Sequence, residues 1–183
     1  MKITLIICLA AVLVVPSPTL LAARSPGSMV NVSYDKFEDL TQVSTNLSKV
    51  DNAIGRNQQK QDLRLQVLYV CTGDTRHCRP DKVEFKFVSY SAAEHVRSHQ
   101  LILIAGGKRM RVEPRWAGVY EGTGRPAEHM TAAISLEEFL NVASAEKVEG
   151  KLGETTFMLG DDNFAAMRAL AGEMGLPAGR QKS

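Results

Sequence analysis

Apolar residues recur with a period of two along most of this chain, and with a period near 3.6 in two stretches close to its end. Leu63, Leu65, Val67 and Tyr69 alternate with Arg64, Gln66 and Leu68, and Val83, Phe85 and Phe87 alternate with Glu84 and Lys86. Each arm predicts a half-buried strand, and the two together predict a hairpin whose loop is bounded by Cys71 and Cys78. A second hairpin follows. Leu101 to Ala105 is apolar throughout, which predicts a strand covered on both faces. Gly106 and Gly107 supply a two-residue turn, and Arg109, Met110, Arg111, Val112 and Glu113 alternate after it. Val148 to Leu152, Gly153 and Thr155 to Leu159 predict a third hairpin.

The remaining stretches are less regular. Val32, Tyr34, Phe37, Leu40 and Val43 predict one or two strands with an irregular middle at Lys36 to Asp39. Lys49 to Asp62 has few apolar residues and reads as a surface connection, and Ser91 to His99 as a short polar linker. Pro114 to Glu128 contains Gly118, Gly122, Gly124 and Pro126, so it predicts a long loop anchored by Trp116 and Tyr120. His129 to Ile134 predicts another strand. Ser135 and Glu138 then form a capping-box pattern ahead of Leu136, Phe139, Leu140 and Ala143, which share one helical face ending near Ala145. Gly160 and Asp161 open a second helix with Phe164, Met167, Leu170, Ala171 and Met174 on one face, stopped by Gly175 and Pro177. The fold class expected is α+β: antiparallel hairpins forming one sheet or two packed sheets, sandwich-like, partly covered by two helices in the C-terminal half.

The first residues change the picture by setting a compartment. Met1 and Lys2, the apolar run Ile3 to Val15, the break at Pro16, Ser17 and Pro18 and the small residues Ala22 and Ala23 predict a cleavable export signal over 1–22. An uncleaved anchor is the alternative, because Leu20 or Leu21 stands where a small residue is usual. A flexible lead-in over 23–29, one α+β domain over 30–177 and a disordered tail over 178–183 complete the predicted organisation. Of three cysteines, Cys8 falls within the signal, which leaves Cys71 and Cys78 to form a disulfide in a secreted or periplasmic setting. N-x-S patterns stand at Asn31 and Asn46.

The formal net charge is only +2, but its distribution is uneven. Arg76 to Arg115 holds nine Lys or Arg against four Asp or Glu, whereas Glu121 to Glu173 holds four against ten. Arg109 and Arg111 lie two apart in an alternating strand, so both project from one solvent face, with Lys86 projecting from its own arm. If those arms share a sheet, the three charges form a patch for an anionic envelope component or an acidic protein. Aromatic residues are not interleaved with the basic ones, which argues against nucleic acid. Trp116 and Tyr120 are the next partner-binding candidates.

Catalytic patterns are weak. His95 and His99 share a helical face, with His129 or Glu94 as a further metal ligand, but the H-E-x-x-H order is missing. No G-x-S-x-G elbow occurs, and GGKR leads into a strand rather than a phosphate-binding helix. Asp35 with Asp39 and Asp161 with Asp162 are the notable carboxylate pairs, the latter suited to a helix N-terminus. The bridged loop, with Arg76 as bait, faintly matches the exposed loops of protease inhibitors.

The segments YDKFEDLTQVST, LILIAGGKRMRV and SLEEFLNVASAEKVEGKLGETTFMLGDDNFAAMRALA resemble an uncharacterised family of exported bacterial proteins, β-rich with C-terminal helical elements. That resemblance implies export and fold but carries no activity or catalytic residues. The function expected is a non-catalytic binding or structural module of the cell envelope or secreted space, acting without a cofactor on an unknown protein or an anionic envelope component. A hydrolase using His95 and His99 or a carboxylate pair is the alternative.

Overall fold

The computed structural model describes residues 29–55, 57–90, 100–122 and 125–176. The strands are β1 (Val30–Asp35), β2 (Leu40–Thr45), β3 (Ser48–Lys49), β4 (Asp51–Ile54), β5 (Leu63–Thr72), β6 (Lys82–Ser89), β7 (Leu101–Ala105), β8 (Lys108–Val112), β9 (Arg115–Gly122), β10 (Arg125–Ser135), β11 (Val148–Leu152) and β12 (Thr155–Met158). The helices are α1 (Leu136–Ser144) and α2 (Asp161–Glu173). The fold is α+β, with two antiparallel sheets. A seven-stranded sheet runs β1-β2-β5-β6-β10-β9, with β3 pairing β5, and a five-stranded sheet runs β4-β12-β11-β7-β8.

The β5–β6 hairpin is the spine of the larger sheet. Its register sets Leu65 opposite Phe87 and Val67 opposite Phe85, so one face of both strands is apolar. Leu63, Leu65, Val67, Tyr69, Val83, Phe85 and Phe87 are all buried on that face, continued by Met130, Ala132 and Ile134 of β10. Helices and the smaller sheet divide the work of covering it. Phe139 of α1 meets Phe85 edge to face, with centroids 6.4 Å apart, while Phe157 of β12 meets Phe87 at 5.5 Å. Helix α2 packs on β2 and β5 and against α1, burying Phe164, Met167, Leu170 and Ala171. Each such large apolar side chain contributes about 1.5–3 kcal/mol of burial free energy.

Local chemistry sets the helix starts. The Ser135 hydroxyl accepts from the Glu138 amide while the Glu138 carboxylate accepts from the Ser135 amide, the capping box predicted for α1. At α2 the Asn163 side chain reaches back to accept from the Gly160 amide and donates to Ser48 Oγ at 2.6 Å. That buried amide therefore ties the helix start to β3.

Three expectations need correction. Lys49 to Asp62 is not merely a surface connection, because it contributes β4, an edge strand of the smaller sheet that buries Ala53. Pro114 to Glu128 is not a long loop: β9 and β10 pair through it, from Arg125 opposite Gly122 to Thr131 opposite Arg115. Glycine is tolerated in β9 because it is an edge strand, with a ladder on one side only, and Pro126 lies in the stretch of β10 that extends beyond its pairing with β6. Leu101 to Ala105 is covered on one face rather than two, since Ile104 points outward and is 39% exposed. The predicted signal, almost all of the lead-in, the C-terminal tail and the linker 91–99 lie outside the described residues. Among the described residues no helix is long and apolar enough to cross a membrane.

Candidate functional site

Because β5 and β6 alternate, the residues that miss the core form the outer face of the seven-stranded sheet. Register carries them across the strands in rows: Leu68, Glu84 and Ala133 in one, Gln66, Lys86, Thr131 and Arg115 in the next, then Arg64, Val88, His129 and Gly118. The pairing of β9 with β10 shifts between His129 and Met130, setting Gly118 opposite His129 and Trp116 opposite Met130, so Ala117 is an extra, bulged residue. Gly118 takes a φ of +111°, a conformation that favours glycine. The bulge places Trp116, Ala117 and Arg115 along one wall of an open groove of 680 Å³ whose floor includes Leu68, Val70, Glu84 and Thr131. A second depression of 410 Å³ shares Leu68, Val70, Glu84, Ala117 and Thr131 and extends the groove to Gln42, Lys86 and His129.

The groove is mixed in character. Trp116 and Val70 are 47% and 43% exposed, while Leu68 beside them is nearly buried. Asp81, Glu84 and Glu113 are balanced by Lys82, Arg115 and Lys86. Partial burial, together with the neighbouring Lys86 ammonium, lowers the pKa of His129 below its ordinary value, which favours the neutral imidazole.

Lys86 thus sits in this groove, but Arg109 and Arg111 do not. Strand β8 belongs to the other sheet, where Arg109 lies beside Ile104 and Arg111 beside Ile102. Both guanidinium groups are exposed on one face, as expected, yet the condition for a single patch with Lys86 is not met. The reason is topological: β7 carries β8 and pairs next with β11, not with β5 or β6. Trp116 is an exposed strand residue rather than a loop anchor, and Tyr120 stands opposite Ala127 in the same hairpin.

His95 and His99 lie outside the described residues. Among the described residues no group of three or more His, Cys, Asp or Glu side chains is placed to hold a metal ion. Asp35 and Asp39 sit in the exposed turn between β1 and β2 rather than in a cleft, and Asp161 and Asp162 occupy the first turn of α2.

Cys71 and Cys78 are bridged, with Cα atoms 5.9 Å apart. The bridged loop folds back on α2: Arg76 Nε is 3.4 Å from Glu173, and His77 Nδ1 is 2.9 Å from the Glu173 carbonyl oxygen. Beneath it, the buried Tyr69 hydroxyl donates to the Arg76 carbonyl at 2.6 Å. Burial, reinforced by the Glu173 charge, pushes that phenol up to about 12. A loop latched in this way does not present Arg76 as an extended bait.

Sequence reasoning missed Val70, Leu68, Glu84, Thr131 and Gln42 as groove residues. A signal was present: Leu68, Val70 and Val88 are apolar residues at outward positions of strands whose other outward positions are polar.

Comparison with protein families, with curated proteins and with solved structures finds no match to this chain.

Proposed function

We propose that this chain is an exported, non-catalytic binding module that engages a protein partner through the groove on the outer face of its seven-stranded sheet. The observation that carries the reading is an open groove of 680 Å³ whose lining includes two half-exposed apolar residues, Val70 on its floor and Trp116 at the bulged edge strand that forms its wall. Exposed apolar surface with a polar rim is the composition of an interaction site, and tryptophan and arginine are among the residue types enriched at interface hot spots. Equal numbers of acidic and basic side chains around it suit a polypeptide carrying both signs of charge better than a polyanion. Export is supported by the Met1 to Ala23 pattern and by the disulfide.

The test is capture from envelope extracts with the wild type, Trp116→Ala and an Arg109→Glu, Arg111→Glu double variant. Removing a tryptophan hot spot costs about 2 kcal/mol or more, roughly a thirtyfold loss of affinity. Trp116→Ala is expected to lose the captured protein while the arginine variant keeps it. The reverse pattern would move the binding surface to the other sheet.

A further inference from the structure

The outer face of the five-stranded sheet carries an apolar strip that the proposed groove does not use. Ile54, Ile102, Ile104 and Met158 line a depression of 360 Å³ across β4, β7 and β12. The ladder flanks it mainly with basic groups: Arg109 stands beside Ile104, Arg111 beside Ile102 and Lys151 on the other side of Ile102, against one carboxylate, Glu149, which stands on the other side of Ile104 and is paired with Lys147. An aromatic side chain accompanied by carboxylates is what such a strip would accept.

The same chain presents that chemistry at the turn between β1 and β2, a part of the other sheet. Asp35, Glu38 and Asp39 surround Phe37 there, against the single cation Lys36. Phe37 is 87% exposed. It is also held in place: Asp35 Oδ1 accepts from the Phe37 amide at 2.8 Å, Tyr34 donates its hydroxyl to Asp39 at 2.9 Å, and the Gly73 amide donates to the Asp39 carbonyl at 2.7 Å. Asp39 itself adopts a φ of 51° to close the turn. A turn fixed before docking loses little conformational freedom on docking.

We propose that a second copy of this chain seats its β1–β2 turn in the strip, with Phe37 among Ile54, Ile102, Ile104 and Met158 and the turn's carboxylates facing Arg109, Arg111 and Lys151. Charge complementarity selects this occupant. The same three carboxylates disfavour an anionic lipid surface. Turn and strip lie on different sheets, so each copy offers one half of the contact and can receive the other. A single turn in a shallow strip makes a small interface, hence a weak and salt-sensitive one.

Sedimentation velocity on the exported chain, over a concentration series at low and high salt, tests this. The wild type is expected to gain mass with concentration at low salt and to return to monomer at high salt. Phe37→Ser and the Arg109→Glu, Arg111→Glu variant should each stay monomeric. Glu38→Lys, which keeps the phenylalanine, should associate several-fold more weakly than the wild type. An equimolar mixture of the Phe37→Ser and arginine variants provides one intact turn and one intact strip per pair, so it should form dimers and nothing larger. A wild type that is monomeric throughout, a Phe37→Ser or arginine variant that associates like the wild type, or a mixture that forms no dimer or grows past the dimer would overturn the proposal. So would binding of wild-type chain, but not Phe37→Ser, to anionic vesicles without self-association.

Discussion

Gly150 occupies a position where no side chain fits. A Cβ built on it would lie 2.1 Å from Phe157 Cζ, so the phenyl ring rests directly on the backbone of β11 and from there reaches Phe87 in the opposite sheet. Gly150→Ala must displace that ring, and overpacking of this kind costs about 1–3 kcal/mol. The urea midpoint should fall accordingly, with the slope unchanged. At the groove, His129 makes a prediction about pH. Its folded-state pKa lies below the ordinary 6.5, so the unfolded chain takes up the proton first. Its contribution to stability is therefore complete above about 6.5 and is lost as pH falls through the folded-state value. The imidazole resonances followed by NMR should titrate below 6.5, and Lys86→Gln should move the midpoint upward by removing the neighbouring cation. A midpoint at or above the ordinary value would show that His129 is solvated rather than partly enclosed.

Among the elements, the bridged β5–β6 loop gives a direct stability test. Closing a loop from Cys71 to Cys78, eight residues, stabilises by about 2.5 kcal/mol in the chain-entropy model. A Cys71→Ala, Cys78→Ala variant should lose about that much in chemical denaturation, and thiol labelling of the unreduced protein should find neither Cys71 nor Cys78 free. What was legible in the sequence follows from the same local physics. The β5–β6, β7–β8 and β11–β12 hairpins and both helices show in periodicity and capping because a turn or a cap is specified by neighbours in the chain. Strand β4 was hidden because an edge strand with one buried residue, Ala53, needs no apolar repeat. The β9–β10 pairing was hidden by Gly118, Gly122, Gly124 and Pro126, which read as loop residues, although Gly118 stands beside the bulge of an edge strand and Pro126 where β10 extends beyond β6. The division of hairpins between two sheets was not legible at all. It depends on β7 pairing with β11, across more than forty residues, and that pairing separates Arg109 and Arg111 from Lys86. Only part of the groove showed, as Lys86, Trp116 and His129, because its floor is assembled by cross-strand register.

At the scale of the whole molecule, the seven-stranded sheet uses its inner face to build the core and leaves its outer face to line the open groove. Phe85 and Phe87 anchor α1 and β12 on one side, while Glu84 and Lys86 between them line the groove on the other. Period-two alternation thereby lets one strand line both the core and the groove. Substitutions at Val70 or Trp116 should consequently change binding with little effect on the core. Trp116 is the only tryptophan in the chain, so labelling with 5-fluorotryptophan gives a single fluorine resonance at the groove, observable in an unlabelled mixture. Adding an envelope protein fraction that the wild type captures should shift or broaden that resonance, and removal of the captured partner should restore it. A resonance that stays unchanged while capture proceeds would contradict recognition through this face.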